Sequence, residues 1–169
     1  MNGRLTKIKV KDGTWFFAWE TFKEKLKRWD SYTFESDDAP LPELRERLQA
    51  MAIHVAEICE IKDWKKEMIT VDGVSIKTKD DNKYVCVSAK KVLLNSKAPL
   101  IINTPVRPAE VGDGYAQAQC MSVSMIEDLE RLEEEAWRYI NGERAQQKLE
   151  FGEPEKEKPE DGEKPEQVD

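Results

Sequence analysis

The stretch LTKIKVKDGTWFFAWETF, Leu5–Phe22, decides how the chain is read. Leu5, Lys7 and Lys9 alternate with Thr6, Ile8 and Val10, the two-residue period of a strand with unlike faces. Lys11-Asp12-Gly13 then offers a tight turn, and Thr14–Phe22 is aromatic and β-prone, so the stretch reads as an antiparallel hairpin. An antiparallel start points away from parallel α/β architectures and towards a sheet with one covered face.

Outward from this hairpin the periodicity changes twice. Trp19–Trp29 fits either period: Phe22, Leu26 and Trp29 follow helical spacing, whereas Lys23, Lys25 and Lys27 alternate, and strand is the preferred reading. Tyr32 and Phe34 continue the β pattern until Asp37, Asp38, Pro40 and Pro42 stop it and open a helix. Leu44, Leu48, Met51, Val55 and Ile58 step by one helical turn each, which predicts a helix over about Pro42–Ile61. Strands are expected at Ile69–Thr78, Tyr84–Leu94 and Leu100–Val106, with a turn at Lys79–Asn82; Asp72-Gly73 is an alternative tight turn. A surface loop over Pro108–Gln119 leads to Ser124-Met-Ile-Glu127, which has capping-box spacing. Met125, Leu129, Leu132, Ala136 and Tyr139 mark the apolar face of a last helix stopped at Asn141-Gly142. The expected fold is α+β: an antiparallel sheet of about six strands with two helices on one face, in the order βββαβββα. The two halves resemble a weak repeat in element order without resembling each other in residues.

Charge divides the 169-residue chain into a body and a tail. Glu150–Asp169 holds nine acidic and three basic residues with Pro154, Pro159 and Pro165 among them, a composition expected of a disordered acidic tail. Residues 1–149 hold 25 acidic and 24 basic residues, so nearly all of the net charge of −7 belongs to the tail. One domain over 1–145 and a tail over 146–169 are therefore expected. No apolar run reaches the roughly 18–20 residues that span a bilayer, and the N-terminus lacks a signal-peptide core; a cytoplasmic protein without membrane contact is expected. Cys59, Cys86 and Cys120 are odd in number and far apart, which suits reduced thiols in a cytosol.

Catalytic signatures are sparse. His54 is the single histidine, flanks the first helix's apolar stripe and stands five residues from Cys59, the wrong offset for two ligands on one face; it reads as structural. Asp80-Asp81 and Asp113-Gly-Tyr115 read as solvated turns rather than metal loops, and no glycine-rich phosphate cradle occurs. No catalytic residue, metal site or cofactor is expected, and the protein reads as a non-enzyme.

Two features point to binding. The first 29 residues carry Arg4, Lys7, Lys9, Lys11, Lys23, Lys25, Lys27 and Arg28 against three acidic residues, interleaved with Trp15, Phe17, Trp19 and Trp29. Lysines beside aromatic rings are how single strands are commonly held, by phosphate attraction and base stacking. Aromatic strands equally supply the core beneath covering helices, so the same rings have a purely structural reading. The second feature is Gln146-Gln-Lys-Leu-Glu-Phe151, which resembles the Gln-x-x-Leu-x-Phe peptide that docks bacterial polymerases and repair factors on the β sliding clamp. Gln146, Leu149 and Phe151 match its three key positions. The acidic tail resembles that of single-stranded DNA-binding proteins, except that it ends Glu-Gln-Val-Asp without an apolar tip.

From Pro42 onward the chain resembles a group of small proteins encoded in bacteriophage and prophage genomes. The residues that carry the resemblance are His54–Glu60 (HVAEICE), Ile69–Ser75 (ITVDGVS), Asn95–Leu100 with Asn103–Pro105, and Tyr139–Gln146 (YINGERAQ). The group tends to accompany replication and recombination genes and to end in a glutamine, leucine and aromatic cluster. The resemblance implies a role in DNA metabolism, and it does not extend to the N-terminal aromatic and basic segment. The expected function is a phage-type DNA replication or recombination accessory that binds single-stranded DNA and tethers to the host sliding clamp. The alternative is a phage modulator that binds and inhibits a host protein; a structural particle protein is a third reading.

Overall fold

The computed structural model describes residues 3–145. Seven strands form one antiparallel sheet: β1 (Gly3–Lys11), β2 (Thr14–Lys23), β3 (Arg28–Ser36), β4 (Ile69–Lys79), β5 (Asn82–Lys91), β6 (Leu100–Asn103) and the short β7 (Arg107–Pro108). The helices are α1 (Pro42–Ala50) and α2 (Ala52–Ile58) after β3, and α3 (Val123–Ile140) at the end. The order βββααββββα keeps the expected βββαβββα succession, with the first helix in two pieces and one short strand added. Strands lie in the order β3-β2-β1-β4-β5-β6, with β7 beside β5, so each half is a meander reading outward from the central β1–β4 pair.

Local chemistry places the turns. Asp12 and Gly13 both take positive φ, 50° and 84°, as a two-residue hairpin requires, and Asp80 and Asp81 do the same between β4 and β5. Trp19–Trp29 is not one strand: β2 ends at Lys23 and β3 begins at Arg28, with Lys27 at φ 50° in the turn. Asp72-Gly73 is no turn; it lies at a bulge within β4, where Gly73 faces Lys9 of β1. There a Cβ on Gly73 would stand 2.6 Å from the Ile8 carbonyl oxygen.

The expected helix over Pro42–Ile61 is two helices, broken at Met51, whose amide bonds to the Leu48 carbonyl in a tighter turn. Its apolar stripe survives the break: Leu44, Leu48, Met51 and Val55 are all buried. The last helix is capped by Ser122, not Ser124, and the Ser122 hydroxyl accepts from the Met125 amide at 3.2 Å. β5 stops at Lys91 and β6 at Asn103, both short of the expected bounds, with one further amide bond each beyond the strand, from Val92 to the Met68 carbonyl and from Thr104 to the Val87 carbonyl.

One face of the sheet meets the helices. Leu5 and Ile8 of β1, Trp15 and Phe17 of β2, Ile69, Val71, Val74 and Ile76 of β4, and Val85, Val87 and Ala89 of β5 pack against the stripes of α1, α2 and α3. Plain alternation would put Leu5 on the side of Lys7 and Lys9. A bulge between Leu5 and Lys7 takes up Thr6, so that Leu5 joins Ile8 in the core while the lysines turn the other way. His54 bridges the helices: it is buried, and its Nε2 lies 2.8 Å from the Asp128 carboxylate of α3. Among the described residues no helix is long and apolar enough to cross a membrane.

Candidate nucleic-acid interface

Strand parity that buries one face leaves the second uncovered by any described residue, and the pairing register shows what stands on it. Rows run across β1, β2 and β3 as Lys9–Phe16–Glu35, Lys7–Ala18–Thr33 and Arg4–Glu20–Ser31, and Phe22 faces Trp29 beyond them. On the other side Lys7 faces Ser75 and Lys9 faces Gly73; Ser75 faces Cys86, and Lys77 faces Tyr84. The middle of this face is floored by small residues, Ala18, Gly73, Ser75, Cys86 and Ser88, which make it a shallow trough between longer side chains.

Lysines line that trough. Lys7, Lys9 and Lys11 alternate along β1, which spaces them about 7 Å apart at a strand's rise of about 3.4 Å per residue. Ion pairs on the face join Arg4 to Glu20 at 2.8 Å, Lys79 to Asp113 at 3.2 Å and Lys90 to Asp72 at 3.6 Å. Among the described residues Lys7, Lys9, Lys11 and Lys77 take part in no ion pair, so their charge is open to an outside anion. Lys7, Lys9 and Lys11 with Phe16, Thr14, Asp12 and Glu35 bound a recess of about 440 Å³. The Lys7 ammonium lies 5.8 Å from the Phe16 ring centre, and the Arg4 guanidinium is stacked 3.7 Å over Trp29, whose ring is 5.3 Å from Phe22.

The structure therefore divides the residues read from the sequence. Arg4, Lys7, Lys9, Lys11 and Trp29 come together on the uncovered face. Trp15 and Phe17 do not: both are 0% exposed, stacked with ring centres 6.1 Å apart in the core, and neither can meet a base. Trp19 also lies on the helix side, edge-on to Trp137 of α3 at 5.8 Å. The helices need an aromatic floor, and the β2 parity holding three rings supplies it. Lys23 and Arg28 face each other at the end of β2 and β3 on the same parity as Trp19; the Lys23 ammonium lies 5.7 Å from the Tyr32 ring and Arg28 pairs with Asp30 at 3.0 Å. Lys25 and Lys27 occupy the β2–β3 turn, where Lys27 pairs with Glu24 at 3.3 Å. Gln146, Leu149 and Phe151 lie outside the described residues.

Further residues complete the face. Phe16, Phe22 and Lys77 share the parity of the free lysines; this signal was available in the alternation but uninterpretable until the covered side was known. Tyr84 and Tyr115 stand at its β5 edge with ring centres 6.2 Å apart. The Tyr84 hydroxyl donates to the Asp113 carboxylate at 2.6 Å. That bond holds the Tyr84 phenol above its ordinary value, and together with the Lys79 ammonium it holds Asp113 below its own. Burial pushes the Cys59 thiol up, which disfavours a reactive thiolate there.

Comparison of the chain with protein-family models, with curated proteins and with solved structures gives no match.

Proposed function

We propose that the uncovered sheet face binds single-stranded DNA, and that the peptide Gln146–Phe151 tethers the protein to the bacterial sliding clamp as an accessory in phage-type DNA replication or recombination. The observation that carries the first half is the row of three unpaired lysines on β1, flanked on the same face by Phe16 and by the Arg4–Trp29 stack. Phosphates of an extended strand would neutralise the lysines while bases rest on the rings and the guanidinium. A shallow open trough suits single-stranded nucleic acid because its bases are free to lie flat on a sheet. In this reading the protein acts by localisation.

The second half is supported by sequence. The Ala145 amide donates to the Ala39 carbonyl at 3.1 Å, so the hexapeptide follows directly on an anchored residue. A docking peptide joined to a nucleic-acid-binding body would raise the local concentration of each contact for the other.

Fluorescence anisotropy with a labelled oligonucleotide tests the first half. Binding should weaken with salt, and Lys7→Glu with Lys9→Glu should reduce the slope by about 0.7 for each phosphate that is no longer neutralised. Lys25→Glu with Lys27→Glu, in the turn, should leave it unchanged. An absence of salt-sensitive binding at low ionic strength overturns the reading. A pull-down with the clamp, comparing the natural chain with Leu149→Ala/Phe151→Ala, tests the tether.

The second reading, a modulator that binds and inhibits a host protein, is favoured by the far edge of the sheet. Leu100 and Ile101 of β6 are 48% and 60% exposed on a strand that, among the described residues, has one side unpaired, and an apolar edge strand offers main-chain pairing to a partner. Recovery of a single host protein that is lost with Ile101→Lys, without any oligonucleotide binding, would favour it over the first.

A further inference from the structure

A second recess opens on the same face, across the β4–β5 half. It measures about 480 Å³ and is lined by Ser75, Lys77, Tyr84, Cys86, Val106 and Tyr115, with the Lys79–Asp113 pair at its rim. That volume falls within the roughly 300–1,000 Å³ of small-ligand sites. Its walls are two tyrosine rings, tilted by 59°, and the Val106 side chain. The two rings are held in place: Tyr84 by its bond to Asp113, and Tyr115 by a turn in which its amide donates to the Gly112 carbonyl at 3.0 Å.

The recess is continuous with the lysine trough. Ser75 faces Lys7 directly in the β1–β4 register, and Cys86 lies one strand further on, so the floor of the recess begins within about two strand spacings, roughly 10 Å, of Lys7. The polar groups there are unequal. The Tyr84 hydroxyl, the Lys79 ammonium and the Cys86 thiol are already engaged, the thiol donating to the Thr104 carbonyl at 3.2 Å. Among the described residues the Ser75 hydroxyl makes no side-chain hydrogen bond and Lys77 pairs with no acid. One free hydroxyl on an aromatic and aliphatic floor, with one free cation at the mouth, matches a flat heteroaromatic ring that carries a phosphate.

We propose that this recess receives one unstacked nucleobase of a strand whose phosphates lie on Lys7, Lys9 and Lys11. The inference rests on the proposed binding of single-stranded nucleic acid to this face. In it the base lies against the tilted Tyr84–Tyr115 pair at the wall of the recess, Ser75 hydrogen-bonds its edge, and Lys77 meets the adjoining phosphate. Asp113 does not repel that phosphate, because Lys79 and Tyr84 already satisfy its carboxylate.

Two tracers of equal length separate the recess from the lysine trough: a labelled oligothymidylate, and an oligomer of abasic tetrahydrofuran units with the same phosphates and no bases. Both are titrated with the full chain and with Val106→Trp, which fills the recess from an exposed position, and Tyr115→Ala, which removes one wall. The expected result is about tenfold weaker binding of oligothymidylate by each variant, within what one base–aromatic stack contributes, with abasic binding and its salt dependence unchanged. Lys9→Glu should weaken both tracers. If both recess variants bind oligothymidylate as the natural chain does, or if they lose both tracers equally, the base-recess inference is overturned while binding on the lysines stands. If the natural chain binds neither tracer at low salt, the face reading falls and the recess inference falls with it.

Discussion

The Tyr139 hydroxyl donates to the carbonyl of Asp38 at 2.6 Å, joining the end of α3 to the link between β3 and α1 across 101 positions of sequence. The ring beneath that hydroxyl is buried against Phe17 at 5.2 Å, Trp15 at 6.2 Å and Phe34 at 6.3 Å, and the Arg144 guanidinium lies over it at 3.5 Å. Arg144 also donates to the Tyr139 carbonyl. One residue thus fastens both halves of the chain. Tyr139→Phe should lower unfolding stability by about 1 kcal/mol, the net worth of one hydrogen bond. Tyr139→Ala should cost about 3–5 kcal/mol through the cavity it leaves in the aromatic layer. Urea unfolding followed by tryptophan fluorescence checks both, and equal losses would mean that the ring contributes nothing beyond its hydroxyl.

Trp15 carries a contradiction that can be measured. Its ring fills the core, yet its indole N–H finds no acceptor among the described residues. A buried donor without a partner costs stability, so Trp15→Phe should recover part of what it loses in volume and cost less than about 2 kcal/mol. Trp15→Ala removes the whole ring and should cost about 3–5 kcal/mol. If Phe proved as damaging as Ala, the packing account of this position would be wrong.

Gly73 tests how the two meanders are joined. Only Lys7–Ser75, Ile8–Val74 and Lys9–Gly73 pair β1 with β4, and a methyl group on Gly73 would press on the Ile8 carbonyl from 2.6 Å and on the Lys9 Cα from 3.1 Å. Backbone atoms cannot swing aside as a side chain does. Gly73→Ala should therefore destabilise by about 1–3 kcal/mol and loosen the central pair, read as faster amide hydrogen exchange at Ile8 and Lys9 than at β2 positions. Unchanged exchange at the central pair would show that the strands separate further than this close approach allows.

Tyr84 and Asp113 should give a pH signature. The phenol sits above its ordinary value of 10.0 because its proton is held by the Asp113 carboxylate, so this contribution to stability is complete below that value and fades as pH rises through the shifted one. Asp113 lies below its ordinary 3.8 because it accepts from Tyr84 and Lys79, so its contribution is complete above 3.8 and is lost as pH falls through the lowered value. Asp113→Asn should bring tyrosinate formation at Tyr84 to lower pH, followed by ultraviolet absorbance against a Tyr84→Phe control. An identical titration in the Asn variant would show the bond to be absent in solution.

Much of the fold is legible along the chain because its signals are local. Asp12-Gly13 takes the positive φ angles of a two-residue turn whatever surrounds it, and Leu44, Leu48, Met51 and Val55 trace one helical face over any few residues. The break at Met51 leaves that spacing intact, so periodicity is blind to it. The true cap, Ser122, is overlooked because Ser124 stands three residues before a glutamate and mimics the same pattern.

Sequence alone determined most of the strands, the helical stripes, their order and the presence of lysines and rings in the first 29 residues. It could not determine which of two alternating faces is covered. That choice was made by α1, α2 and α3 packing over residues far away in sequence, together with one bulge at Thr6 that reverses the parity of β1. Alternation is symmetric until a second layer arrives, and only then do Trp15 and Phe17 become core while Phe16 and the lysines become surface.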